Sequence, residues 1–188
     1  MKKTVHILAV FLLVMTIPGQ VVAKKGERLK IGDDFPSFFL KDINGNNFFL
    51  NEYVGDKATN QCKAVMFSFC ASYCKPCKKE IPELDRLKET YGSKGLEIFL
   101  INGGEDRELA LGLIKEVNTK LPVLLDRYLI VLNMIGQPGI PHTVLIDKAG
   151  KVRFINTGFA ESNGSEILKE LEHAIEEALG IGSSGSAQ

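Results

Sequence analysis

The chain reads as an α/β protein with a central mixed sheet flanked by helices, and three observations carry that expectation. Residues 64–69 and 96–101 are short, bounded apolar runs with the length and composition of buried strands. Stretches of helical periodicity at 75–91 and 105–117 follow those runs, giving a βαβα order. An opening hairpin and a closing antiparallel pair, each built around a glycine-containing turn, bracket that core.

The elements follow in order. Residues 1–23 have the features of a secretory signal peptide: Lys2 and Lys3, then an apolar run from Val5 to Ile17, then the small-residue end Val21-Val22-Ala23. The competing expectation is an uncleaved membrane anchor, for which the run is shorter than the ~20 residues a span needs. Lys24, rather than Cys, argues against a lipid-anchored form. The protein is expected to be exported, periplasmic or otherwise extracytoplasmic, and soluble once cleaved. The 188 residues carry 23 basic and 23 acidic side chains; losing Lys2 and Lys3 leaves 21 against 23, a net charge of −2. With no basic run, nothing supports nucleic-acid binding.

Residues 24–180 form the expected domain. Segments 35–40 and 47–50 flank Asn44-Gly45, a hairpin turn signal. Residues 52–63 are polar and read as a loop. The helix at 75–91 carries an apolar stripe at Ile81, Leu84 and Leu87, with Pro82 inside it as the expected site of a kink. Along 105–117, Leu109, Leu113, Ile114 and Val117 are expected to face the core. A short strand at 122–125 and a short helix at 128–135 come next, then strands at 142–147 and 151–156 around Lys148-Ala149-Gly150. A final amphipathic helix spans 165–179, with Ser165 as a cap near its start. Residues 181–188 are Gly/Ser-rich and read as a flexible tail.

The chemistry lies in Cys74-Lys75-Pro76-Cys77. A two-residue gap at a helix start sets the two sulfurs one turn apart on one face, within reach of a disulfide. The positive end of the helix dipole favours thiolate, and Lys75, Lys78 and Lys79 push the same way. Cys74, nearer the helix start, is the expected attacking thiol, and Cys77, a turn deeper, the resolving one. Thiol–disulfide exchange also needs a route for a proton. Glu80, three residues beyond Cys77, can share that helical face, where a carboxylate would raise the thiol pKa values and accept a proton from Cys77. A solvated helix glutamate is the bland alternative.

The chain resembles the thioredoxin-like, extracytoplasmic oxidoreductases of the TlpA/ResA/CcmG type. Four stretches carry the likeness: Ile31-Gly32-Asp33-Asp34-Phe35-Pro36 through Asn44-Gly45; Cys74-Lys75-Pro76-Cys77 with Glu80 and Pro82; Leu121-Pro122-Val123-Leu124-Leu125-Asp126; and Gly139-Ile140-Pro141-His142-Thr143-Val144-Leu145-Ile146-Asp147. The resemblance implies a thioredoxin-like fold with an N-terminal β-hairpin extension and strengthens the role given to Glu80. It implies a cis Ile140–Pro141 bond opposite the CxxC, aiming the Ile140 backbone at a partner chain as a short β-addition. It also implies reduction of disulfide-containing client proteins, apocytochrome c among them. A membrane thiol-disulfide relay would then be the electron donor. No cofactor and no metal are implied.

Three departures and rivals stand beside this. Thioredoxins proper place an acid on the strand before the CxxC; the matching position here is Ser68, consistent with a proton route moved onto Glu80. Tyr73 and Cys70 stand where aromatic residues, Trp in the first case, are usual. Cys70, Cys74 and Cys77 spell the CxxxCxxC spacing of radical-SAM clusters, but Pro76 and the chain length argue against one. A copper-binding module using Cys70, Cys74 and His142 is the better rival, and a peroxiredoxin-like peroxidase a further one, although its Thr-x-x-Cys pattern is absent. His142 is expected to be structural or to tune the dithiol. Cys70 is expected to be a buried apolar residue, with a Cys62–Cys70 disulfide left open.

Overall fold

The computed structural model describes residues 28–136, 138–160 and 162–181. The expected signal segment and all but the first residue of the tail lie outside them. A seven-stranded sheet runs in the order β2-β1-β5-β4-β3-β6-β7. Its strands are β1 (Phe39–Asp42), β2 (Asn47–Phe49), β3 (Ala64–Cys70), β4 (Leu96–Gly103), β5 (Val123–Asp126), β6 (His142–Asp147) and β7 (Val152–Thr157). The helices are α1 (Lys75–Tyr91), α2 (Arg107–Val117), α3 (Ile130–Met134) and α4 (Gly164–Leu179). β3, β4 and β5 are mutually parallel, and every other pairing is antiparallel. The expected mixed sheet with helices on both faces is the architecture found.

Strand β3 is the centre of this arrangement, because all seven of its residues are buried. Side chains alternate along a strand, so Ala64, Met66 and Cys70 join the core under α1, α2 and α4. Val65, Phe67 and Phe69 join a second core on the opposite face. That second face is aromatic: Phe67 meets Phe38 at 5.3 Å, Phe35 at 5.5 Å and Phe99 at 6.0 Å between ring centres. Phe35, Phe38 and Phe48 come from the N-terminal hairpin region, so the extension is packed into the fold and is not an appendage.

The hairpin turns at Asn44-Gly45 as expected, but through a four-residue loop. The Asp42 carboxylate accepts hydrogen bonds from the Asn44 and Asn46 backbone N–H groups, both at 2.8 Å, and Gly45 takes a positive φ of 89°. Helix α1 covers the expected residues and continues through Pro82, with Ile81, Leu84 and Leu87 buried.

Two local expectations are corrected. Leu109 is 51% exposed, and Ala110 and Leu113 face the core: Asp106 caps α2 by accepting from the Glu108 and Leu109 N–H groups, which turns Leu109 outward. Helix α4 starts with Gly164 and has Asn163 at its cap position, so Ser165 lies inside the first turn and does not cap it. There the Phe159 ring lies 3.0 Å from where a Cβ on Gly164 would sit, so a small residue is needed at that start.

Phe67 is fully buried among four other aromatic rings. Phe67→Ala is expected to destabilise the protein by about 3–5 kcal/mol, as measured by urea unfolding of the oxidised protein; a loss below about 1 kcal/mol would mean the aromatic face collapses onto the gap.

Candidate functional site

The carboxyl ends of β3, β4 and β5 and the start of β6 share one edge of the sheet, and there the chain turns from β3 into α1. Residues 71–73 form that turn, and Cys74 occupies the N-cap of α1, its Sγ accepting from the Cys77 backbone N–H at 3.2 Å. A helix start leaves N–H groups without partners, and here a sulfur takes one of them. Cys74 and Cys77 are joined in a disulfide across a Cα separation of 5.3 Å, so the structure is the oxidised form. Cys74 is 5% exposed and Cys77 fully buried, which makes Cys74 the sulfur nearer to solvent. Lys75 is exposed, whereas Lys78 is paired with Glu116 of α2 at 2.8 Å.

One turn after Cys77, Glu80 points into the core and is only 3% exposed. Ser68 Oγ donates to its Oε2 at 2.9 Å and Thr143 Oγ1 to its Oε1 at 2.8 Å. The sheet register explains both bonds. Ser68 and Thr143 are direct partners across the antiparallel β3–β6 ladder, so both hydroxyls emerge side by side on the α1 face. Burial pushes the Glu80 carboxyl above its ordinary value, with the Thr143 and Ser68 hydroxyls pulling the other way. The bland alternative, a solvated glutamate, does not hold. Ser68, at the position where thioredoxins carry an acid, instead helps to hold the carboxyl that α1 supplies.

A second buried carboxyl, which the sequence pattern did not single out, anchors the turn before Cys74. Glu105 is 6% exposed and lies ahead of α2, not in it. It accepts from the Ser72 N–H and from Asn102 Nδ2, both at 2.8 Å, and from the Ser72 hydroxyl. The run Asn102-Gly103-Gly104-Glu105, a polar residue on a buried strand followed by a Gly-Gly break and an acid, was the signal available. Both carboxyls act on Cys70, whose thiol is pushed up to about 12 by burial and then by Glu80 and Glu105. Cys70 is therefore a neutral buried thiol.

The Ile140–Pro141 bond is cis. By the β3–β6 register, with Phe69 opposite His142, this bond lies beside the end of β3 where the CxxC turn begins. Ile140 is half-buried and packs against both cores, and among the described residues its N–H and C=O make no hydrogen bond. His142, by contrast, shares the strand face of Val144 and Ile146, and its ring meets Phe69 at 5.9 Å on the aromatic side.

This geometry settles two open points about the cysteines. Cys62 and Cys70 are both free thiols and belong to the cores on opposite faces of the sheet, so they do not form a disulfide. The copper ligand set Cys70, Cys74 and His142 is not assembled either: Cys74 is bonded to Cys77 and His142 faces away. Among the described residues no three His, Cys, Asp or Glu side chains are grouped to hold a metal ion, and no helix is long and apolar enough to cross a membrane.

Comparison with known proteins agrees with the dithiol geometry. Residues 31–155 match the AhpC/TSA family. The thiol-disulfide oxidoreductase ResA of Geobacillus thermodenitrificans is 32% identical over 158 residues, which cover 84% of this chain and 86% of that protein. ResA of Bacillus subtilis is 34% identical over 143 residues, 76% of this chain and 75% of that one. Among solved structures, a thiol:disulfide interchange protein from Bacteroides sp. superposes with a TM-score of 0.65 at 25% identity, covering 85% of this chain and 96% of that one. With a CxxC disulfide capping α1 on a thioredoxin-like sheet, the chain belongs to the AhpC/TSA family and, within it, to the thiol-disulfide oxidoreductases of the ResA type.

Proposed function

We propose that the protein acts outside the cytoplasm as a reductant of oxidised protein thiols. The observation that carries this direction is the buried Glu80 carboxyl beside the dithiol. A carboxylate in a desolvated site disfavours a neighbouring thiolate, and a dithiol whose thiolate is weakly stabilised is a poor oxidant. The export signal read at residues 1–23 supports an extracytoplasmic site of action, and clients of the apocytochrome c kind fit the likeness to the ResA type.

The proposed cycle starts from the reduced pair. The Cys74 thiolate attacks one sulfur of a client disulfide; that S–S bond breaks and the departing client thiolate takes up a proton. The client segment lies along Ile140, whose backbone N–H and C=O serve as edge partners next to Pro141. Cys77 then gives its proton to Glu80 and attacks Cys74 Sγ. The mixed disulfide breaks, the second client sulfur leaves and is protonated, and Cys74–Cys77 is left oxidised as seen here. Two electrons and two protons have passed to the client, and a membrane thiol-disulfide relay returns them. Glu80 suits the proton step because its raised pKa brings it closer to neutrality.

Two experiments test this. Reduced protein incubated with an oxidised CxxCH peptide should convert it to the dithiol. Under the same conditions Cys77→Ala should accumulate a mixed disulfide through Cys74, read by mass spectrometry. Trapping that needs Cys77 and survives Cys74→Ala would reverse the two roles. For Glu80→Gln the apparent thiol pKa values should fall and resolution of the mixed disulfide should slow about 10²-fold or more, the usual scale of a lost general base. The same variant has a stability signature. Between the ordinary carboxyl pKa and the raised folded value, the folded state holds a proton that the unfolded state has released, so stability falls as pH rises through that window. Glu80→Gln should flatten that fall in urea unfolding from pH 4.5 upward; an unchanged slope together with unchanged thiol titration would remove Glu80 from the mechanism.

A further inference from the structure

Two tyrosines stand out from the sheet edge that carries the dithiol, and the exchange chemistry uses neither. Tyr73 is 73% exposed and Tyr128 77%, the highest values for any large apolar side chain among the described residues. The sheet register relates them. Cys70 pairs with Asn102 across the parallel β3–β4 ladder, and Asn102 pairs with Leu125 across β4–β5. Tyr73 lies three residues beyond Cys70, and Tyr128 three residues beyond Leu125. With β4 between them, the two segments leave the sheet about 10 Å apart, twice the spacing of neighbouring strands.

The loop that carries Tyr128 is held rigidly. The buried Asp126 carboxylate accepts from the backbone N–H groups of Ile130, Val131 and Leu132 at 2.6, 2.9 and 3.2 Å. Its C=O accepts from Leu129 at 2.9 Å and from Gly104 at 3.1 Å. Within this set of bonds Leu129 takes a φ of 56°, in the left-handed region that is costly for a bulky side chain. Leu129 Cδ2 lies 3.3 Å from where a Cβ on Gly103 would sit and 3.4 Å from one on Gly104, so the Gly-Gly break makes room for it. The next residue, Glu105, grips Ser72, so one chain of contacts fixes both the Tyr73 turn and the Tyr128 turn. Strain of this kind persists only where its surroundings over-determine it, and it collects at functional sites and ligand clamps.

Tyr128 itself makes no hydrogen bond and no ring contact among the described residues. Exchange brings a client sulfur to Cys74 Sγ, so the client chain already lies against the Tyr73 turn. From there an extended chain, at about 3.3 Å per residue, reaches Tyr128 within roughly three residues. Arg127 beside the ring and Lys75 beside Cys74 are exposed and make no ion pair, which disfavours a cationic client side chain over the ring. A second aromatic ring gains from the pairing geometry beyond the area it covers, and a tyrosine loses little freedom in making the contact.

We infer that Tyr128 is a second docking point for the client, taking an aromatic side chain two to four residues from the attacked cysteine. The inference rests on the client-reduction reading and puts this contact on the β5 side of Cys74, opposite Ile140.

The test uses the reduced protein and oxidised disulfide peptides that carry phenylalanine, alanine, lysine or glutamate at positions two, three and four residues to either side of the attacked cysteine. At one position the phenylalanine peptide should show a KM about fivefold below its alanine twin, with kcat the same. Tyr128→Ser should erase that difference, and Tyr128→Phe, which keeps the ring, should retain it. Equal KM for phenylalanine and alanine at every position while exchange proceeds overturns the docking point and leaves the oxidoreductase reading standing. A preference that survives in Tyr128→Ser, or a KM lowest for the lysine or glutamate peptide, overturns it as well. Absence of exchange with every peptide removes the client-reduction reading, and the docking point with it.

Discussion

The site depends on one buried carboxyl held by two hydroxyls. Ser68 and Thr143 face each other across the β3–β6 ladder and both meet Glu80 of α1. A one-residue slip in that ladder would turn one or both hydroxyls to the wrong face and strand a carboxyl in the core, a costly arrangement. The three-residue cluster thus ties together the strand that leads into the CxxC, the helix that carries Cys77, and the strand that begins at the cis Ile140–Pro141 bond. The same register thus fixes the position of the Glu80 carboxyl on the face of α1 that carries Cys77.

Around that cluster, opposing electrostatic influences meet at the disulfide. The α1 N-terminus favours a thiolate on Cys74, and the Cys77 N–H already points at that sulfur. Of the nearby lysines, Lys78 is committed to Glu116 and Lys75 lies out in solvent, where its field is screened. Against them stand two carboxyls in dry surroundings, Glu80 and Glu105, each only a few per cent exposed. Both bear on Cys70 strongly enough to help push its thiol to about 12. Charges act further in a desolvated site than at the surface, and the proposed reducing direction requires that the carboxyls outweigh the lysines at the pair.

Much of this was legible in the sequence, because it rests on local pattern. The apolar runs of β3 and β4, the stripe Ile81, Leu84 and Leu87 in α1, and the turn at Lys148-Ala149-Gly150 place their elements within a residue or two, whereas the first hairpin strand runs over Phe39–Asp42 and not over 35–40. The CxxC spacing, with Glu80 one turn on, located the dithiol and its buried acid. What stayed hidden was what depends on pairing between distant segments. Nothing local marks Thr143 as a partner of Glu80; only the β3–β6 register brings it there. Glu105 looked like the first residue of a helix, but it lies ahead of α2 and its three hydrogen bonds run to Ser72 and Asn102, which no local pattern shows. The face of α2 was misjudged for a related reason: the small Ala110 is buried, while the larger Leu109 carries more hydrophobicity but points outward.

The reduction potential of the Cys74–Cys77 pair tests the central claim most directly. It would be measured on the purified protein equilibrated in a dithiothreitol buffer series. A pair biased towards the dithiol by buried carboxyls should have a potential in the reducing range, near or below the roughly −270 mV of thioredoxin. A value near the roughly −120 mV of DsbA would mean that the helix N-terminus and the lysines dominate, and the protein would then be an oxidant of its clients.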